Sequence, residues 1–180
     1  VQLKDASIQD DSLAYITYYA DNVASAADRR DKMNPEPGFD KKVPLSSVFN
    51  ILNGNNGKSH YRQQVLDVSK GVFYPTEDPV EMTEEFYKGI ISQITDNLRG
   101  ITYTEEYMNS LLAILEANLS YIPSSTSRKE LEDISLYDHV KLTAAFALCI
   151  ENYCRDRQDN NYRKRLFLES QKTYEEKMFL

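Results

Sequence analysis

Three observations predict a mainly α-helical protein. Apolar residues return at three- and four-residue steps over four long stretches, at 13–27, 86–98, 107–119 and 136–154, the spacing that lines one face of a helix. Start and stop signals punctuate those stretches: Thr83, Thr104 and Ser135 stand before three of them, and Gly100 and Pro123 follow two. A weak two-residue alternation is confined to residues 45–74, so a small β-hairpin is the expected insertion between the helices.

Composition bounds the possibilities. A chain of 180 residues, 41% hydrophobic, can bury one ordinary core. Its net charge of −7 excludes a sequence-independent grip on phosphate over most of the surface, so nucleic acid would meet a local patch or a partner. Cys149 and Cys154 lie five apart on one predicted helix, turned roughly 140° from each other. They are read as small buried residues of a reducing, cytoplasmic compartment. No run approaches a membrane span, and the opening VQLKDASIQDD lacks the parts of a signal peptide. Val1 in place of Met suggests a chain that begins downstream of a true start.

The first element is predicted from about Asp11 to Arg30, with Leu13, Ile16, Tyr19, Ala20, Val23 and Ala27 at helical spacing. Asp21 lies beside that stripe, and by its residue type alone it reads as a surface carboxylate paired to Arg29 or Arg30. Residues 31–44 hold three of the six prolines and form a loop. PLSSVFNI, then NGNNGKSH with two Asn-Gly turns, then QQVLDVSK make the candidate hairpin, with His60 in its polar turn.

A helix from Thr83 to Leu98 opens with Glu84 and Glu85 near its N-terminus and closes at Gly100. The next, Thr104 to Tyr121, is predicted to start on Thr104 and pack on its predecessor. SSTSRKELE, residues 124–132, reads as a surface loop, with phosphate binding as the alternative. Ser135 is the expected cap of the longest helix, and Asp138 three residues on completes a capping box. His139 follows, readable as a buried imidazole that fixes the helix start. A last helix from Asn161 to about Met178 begins with Arg163, Lys164 and Arg165, after Arg155 and Arg157. This basic cluster reads as a solvated helix face, with RNA, a partner subunit or a membrane as the alternatives.

Four separated segments carry a family resemblance. DISLYDH followed by KLTAA, LAYITYYADNVASAADRR, YIPSST and PLSSVFNI together resemble, in the same order, the large subunit of type III CRISPR effector complexes, most closely its subtype III-A form. That subunit carries a histidine-aspartate (HD) nuclease domain ahead of polymerase-like cyclase domains. The resemblance implies a partial helical HD-type domain: residues 1–30 the metal-site helix, 31–80 a loop and short strands, 81–123 a helix pair, and 133–180 the SLYDH helix and a connection toward a polymerase-like domain.

By resemblance, Asp21 is a metal ligand and His139 lines the same divalent centre, which would hold manganese, nickel or magnesium. Arg163, Lys164 and Arg165 are the candidate nucleic-acid contacts. The implied parent protein cleaves single-stranded DNA and makes cyclic oligoadenylates from ATP, which this segment does not bind. Other effector subunits, guide RNA and target RNA are the implied partners. One departure matters: the family's adjacent His-Asp doublet is absent, and the only histidines are His60 and His139. One carboxylate and one imidazole bind a divalent ion poorly, so this chain alone is expected to be inactive. The alternatives are a non-catalytic scaffold or interaction module of the same complex, and an unrelated helical adaptor.

Overall fold

The computed structural model describes residues 3–170 except 6, 53–56, 68, 70–73, 79, 80, 103 and 105. The architecture is mainly α-helical, as the sequence predicts: α1 is Leu13–Asp28, α2 Glu84–Arg99, α3 Tyr107–Leu119 and α4 Leu136–Asp156, followed by a π-helical turn at Arg163–Leu168. The chain divides into two compact units, one of Val1–Asp28 with Val140–Leu180, the other of Arg29–His139.

In the first unit, Ser12 opens α1, its Oγ accepting from the Ala14 N–H at 3.3 Å. Tyr15, Ile16, Ala20 and Ala24 are buried along that helix. Tyr15 and Ile16 join a core in which Cys154, Tyr162, Leu166 and Phe167 are also buried. Phe167 sits between two tyrosines of α1, with ring centroids 5.8 Å from Tyr15 and 5.5 Å from Tyr18, within the range where tilted and edge-on aromatic pairs attract. The Ala20 and Ala24 side chains leave room for close approach. The end of α4 is a Schellman turn: the Asp159 N–H donates to Cys154 O and the Gln158 N–H to Arg155 O, both at 3.0 Å. Gln158 supplies the required left-handed residue at φ 53°, a place usually given to glycine. The two cysteines divide, Cys154 being buried and Cys149 exposed. Reading both as buried is therefore corrected, because only Cys154 shares the inward side of α4.

In the second unit, the Thr83 hydroxyl caps α2 by accepting from the Phe86 N–H at 3.1 Å, and Glu84 and Glu85 lie in the first turn while Arg99 ends the helix, each complementing the helix dipole. α2 packs on α3, and Ile90, Leu119, Ile122 and Tyr137 form the buried centre with Phe86, Ile94 and Leu115 against it. α3 starts at Tyr107 rather than at Thr104, with no side-chain cap. Thr104 instead uses its carbonyl to receive the Tyr107 N–H at 3.0 Å, a turn that precedes the helix.

The expected β-hairpin is not found among the described residues. Ser47 caps a short 3-10 turn at Val48–Asn50, and Ser46 with His60 and His60 with Thr76 form only isolated antiparallel bridges. Backbone pairing there is short, with Ser47 N donating to Ser59 O at 3.0 Å and Tyr61 N to Leu45 O at 2.8 Å. Beside it the Asn50 side-chain amide also donates to Ser59 O at 2.8 Å and accepts from Ser59 N at 3.0 Å, a side-chain bond of the kind that competes with a longer ladder. Residues 53–56 and 70–73, where a turn and part of a second strand were expected, lie outside the described residues.

Candidate functional site

Asp21 lies on the exposed side of α1, in the first unit. The helix places it 200° from Tyr19 and Val23 at 100° per residue, so those apolar neighbours turn the other way. The two arginines that the sequence offers as its partners each meet a carboxylate of the second unit: Arg29 pairs with Glu130 at 3.5 Å and Arg30 with Asp133 at 2.5 Å. Lys32 pairs with Glu132 in the same row. The backbone follows suit, with Lys32 N donating to Lys129 O at 2.8 Å and Leu131 N to Arg30 O at 2.7 Å. Residues 29–32 and 129–133 are thus joined by both main-chain bonds and three ion pairs.

That lock refines the reading of residues 124–132 as a surface loop: Arg128 and Lys129 are exposed, while other side chains of the stretch turn inward. Ser125, Glu132 and Asp133 are buried, as is Ser135 just beyond, and buried polar groups need partners. Ser125 donates to Glu130 Oε2 at 2.5 Å. Asp40 N reaches Thr126 O and Ser46 N reaches Glu132 O, both at 2.7 Å, and Ser124 N reaches Ile134 O at 2.8 Å. Ser125, Glu130 and Glu132 of this stretch thus help hold the unit together. Charge complementarity between DRRDK and RKELED was the available signal.

His139 ends the second unit, one turn into α4 and 7% exposed. Its N–H donates to Ser135 O at 3.1 Å. Ser135 does cap the helix, accepting from the Asp138 N–H at 3.0 Å and donating its hydroxyl proton to Asp138 Oδ2 at 2.7 Å. Asp138 is therefore a capping group, engaged through the hydroxyl of Ser135.

The basic segment belongs to the first unit. Arg163 pairs with Asp10 at 3.6 Å, Arg165 pairs with Asp159, and Lys164 is exposed. The Arg165 hydrogen bond holds the Asp159 carboxyl below the usual carboxylate range. Arg157 lies over the Tyr153 ring, 4.8 Å from its centroid, a cation–π contact. Burial pushes the Cys154 thiol up.

Among the described residues, no group of three or more His, Cys, Asp or Glu side chains converges in a way that would hold a metal ion. Asp21 and His139 do not by themselves make a donor set, and no chemical step through a metal is derived from this chain. Among the same residues, no helix is long and apolar enough to cross a membrane.

No family model matches the sequence. It is 40% identical over 190 residues to the CRISPR system single-strand-specific deoxyribonuclease Cas10/Csm1 (subtype III-A) of Enterococcus italicus, covering 99% of this chain and 25% of that protein. The protein of the same description from Streptococcus thermophilus is 36% identical over 94% of this chain and 23% of its own length. That from Mycobacterium tuberculosis is 34% identical, over 94% and 21%. The chain thus spans about a quarter of the curated relatives it matches. Among solved structures, Csm1 in T. onnurineus is similar with TM-score 0.54 and 29% identity, over 74% of this chain and 16% of that one. An apo Csm1-Csm4 cassette is similar with TM-score 0.55 and 27% identity, over 76% and 16%.

Proposed function

Because this chain is homologous to about a quarter of the subtype III-A CRISPR Cas10/Csm1 proteins, we propose that it forms the later part of an HD-type nuclease domain within such a subunit. The observation that carries the reading is the 40% identity over 99% of the chain to a single-strand-specific deoxyribonuclease. The whole protein then cleaves single-stranded DNA with a divalent metal and makes cyclic oligoadenylates elsewhere in its length. Asp21 supplies one carboxylate to the metal centre; the remaining ligands come from other parts of the protein. A bound divalent ion lowers the pKa of a water and neutralises phosphodiester charge. The share of this chain is to hold its carboxylate on α1, a helix whose Tyr15 packs on Phe167.

The test is cleavage of a single-stranded oligodeoxynucleotide by the full-length protein in manganese. Asp21→Ala is expected to reduce the rate at least a hundredfold, with Asp21→Asn close behind, while helical content stays unchanged. Cleavage that survives both substitutions removes Asp21 from the reaction.

A second reading has its own support: solved neighbours of this fold are Csm1-Csm4 assemblies. In it the segment is a non-catalytic scaffold that docks other effector subunits beside guide and target RNA. Tight subunit association with no loss of cleavage on Asp21→Ala favours that role.

A further inference from the structure

The first unit contains a cavity of about 420 Å³ that neither Asp21 nor His139 lines. Tyr19 and Val23 of α1 form one part of its wall, and Phe146, Ile150 and Tyr153 of α4 another. Arg165 stands at the same cavity. Three aromatic rings and a guanidinium around one open volume suit a flat, π-faced guest. The chain between 155 and 165 holds five cationic residues, Arg155, Arg157, Arg163, Lys164 and Arg165, against two acidic ones, Asp156 and Asp159, in a protein of net charge −7. Glu151, Asp10 and Asp159 pair with Arg155, Arg163 and Arg165, Arg157 covers one face of Tyr153, and Lys164 is exposed.

A stacking surface beside a local positive strip is how proteins hold single-stranded nucleic acid without reading its sequence. We propose that this cavity is a base-stacking subsite for single-stranded DNA, taking one unpaired base against Tyr153 and Phe146 while Lys164 and its neighbours meet the flanking phosphates. The inference rests on the nuclease reading above, which supplies the substrate class. A duplex is excluded, since its bases are not available to stack. Tyr19 and Val23 turn away from Asp21 on α1, so the strand held here is gripped on a different side of that helix from the carboxylate.

Cys149 lines the same cavity and is exposed, which gives a direct readout. In the full-length protein, in EDTA, the rate of Cys149 alkylation by iodoacetamide is followed by peptide mass spectrometry as a twelve-residue oligothymidylate is added. The expected result is at least threefold protection by the single strand and none by a duplex. Binding of the same labelled oligonucleotide is expected to weaken about five- to a hundredfold in Tyr153→Ala, the range for one lost stacking contact, and less than twofold in Tyr153→Phe. Unchanged alkylation at saturating oligonucleotide overturns the proposal, and so does protection seen only when another protein subunit is added. The two readings separate cleanly. Protection that persists in Asp21→Ala while cleavage disappears supports both; Asp21-dependent cleavage without protection removes only the subsite, and protection without metal-dependent cleavage removes only the nuclease reading.

Discussion

Arg30→Ala is the substitution that tests the architecture of the second unit most sharply. The Asp133 side chain is 4% exposed and its Oδ2 accepts from Arg30 Nη2 at 2.5 Å, while its Oδ1 is buried with no hydrogen-bond partner. Truncating Arg30 leaves a buried carboxylate with neither oxygen held by that guanidinium. Breaking a fully buried pair from one side costs about 3–5 kcal/mol. Arg30 is itself 45% exposed, so solvent screening and water entry bring the expectation down to about 2 kcal/mol. For a chain of this size that is a fall of about 4–8 °C in the melting midpoint. The assay is urea unfolding followed by circular dichroism for wild type, Arg30→Ala, Asp133→Asn and the double variant. The amide removes the uncompensated charge, so the double variant should recover part of the loss, with a coupling of about 1 kcal/mol or more. An Arg30→Ala cost below about 0.5 kcal/mol, or additive single effects, refutes the reasoning that this pair is structural.

Gln158→Gly should stabilise the first unit by about 0.5–1 kcal/mol in a chemical melt, because the residue sits at φ 53° in a turn that favours glycine. Phe167→Ala, which removes a 5% exposed ring from between Tyr15 and Tyr18, should cost about 3–5 kcal/mol by the same measurement. With a disulfide reagent, Cys149 should react first and Cys154 only on unfolding, since burial both shields the Cys154 thiol and raises its pKa. The Arg165–Asp159 pair has a depressed folded carboxyl pKa against an ordinary value of 3.8. Its contribution is therefore present above that value and lost as pH falls through the folded pKa. An acid titration of Asp159→Asn should accordingly show a shallower loss of stability than wild type below pH 3.8.

Much of the helical framework was legible in the sequence because the relevant forces are local. Thr83 and Ser135 are caps whose side chains reach N–H groups three residues away, at Phe86 and Asp138, and a short-range signal of that kind survives without tertiary knowledge. The start of α3 was misplaced because Thr104 has the right residue type but uses its backbone. Residues 45–74 carry strand-like alternation, yet their pairing stops at isolated bridges and the Asn50 amide shares the backbone groups of Ser59, a competition that no periodicity records. The role of 124–132 was hidden for a different reason: its partners lie about a hundred residues away, and a polar run looks the same whether it is solvated or locked. For the candidate site, the sequence could name Asp21 and His139 by resemblance, but it could not show that Arg29 and Arg30 are occupied by Glu130 and Asp133. That pairing is a long-range fact.

The most direct measurement of the central claim is manganese binding to the full-length protein, by electron paramagnetic resonance, with Asp21→Ala alongside wild type. A metal centre that draws one ligand from α1 predicts bound manganese in the wild type and at least a tenfold weaker affinity in the variant. Equal binding by the two proteins would contradict it and leave this segment a scaffold.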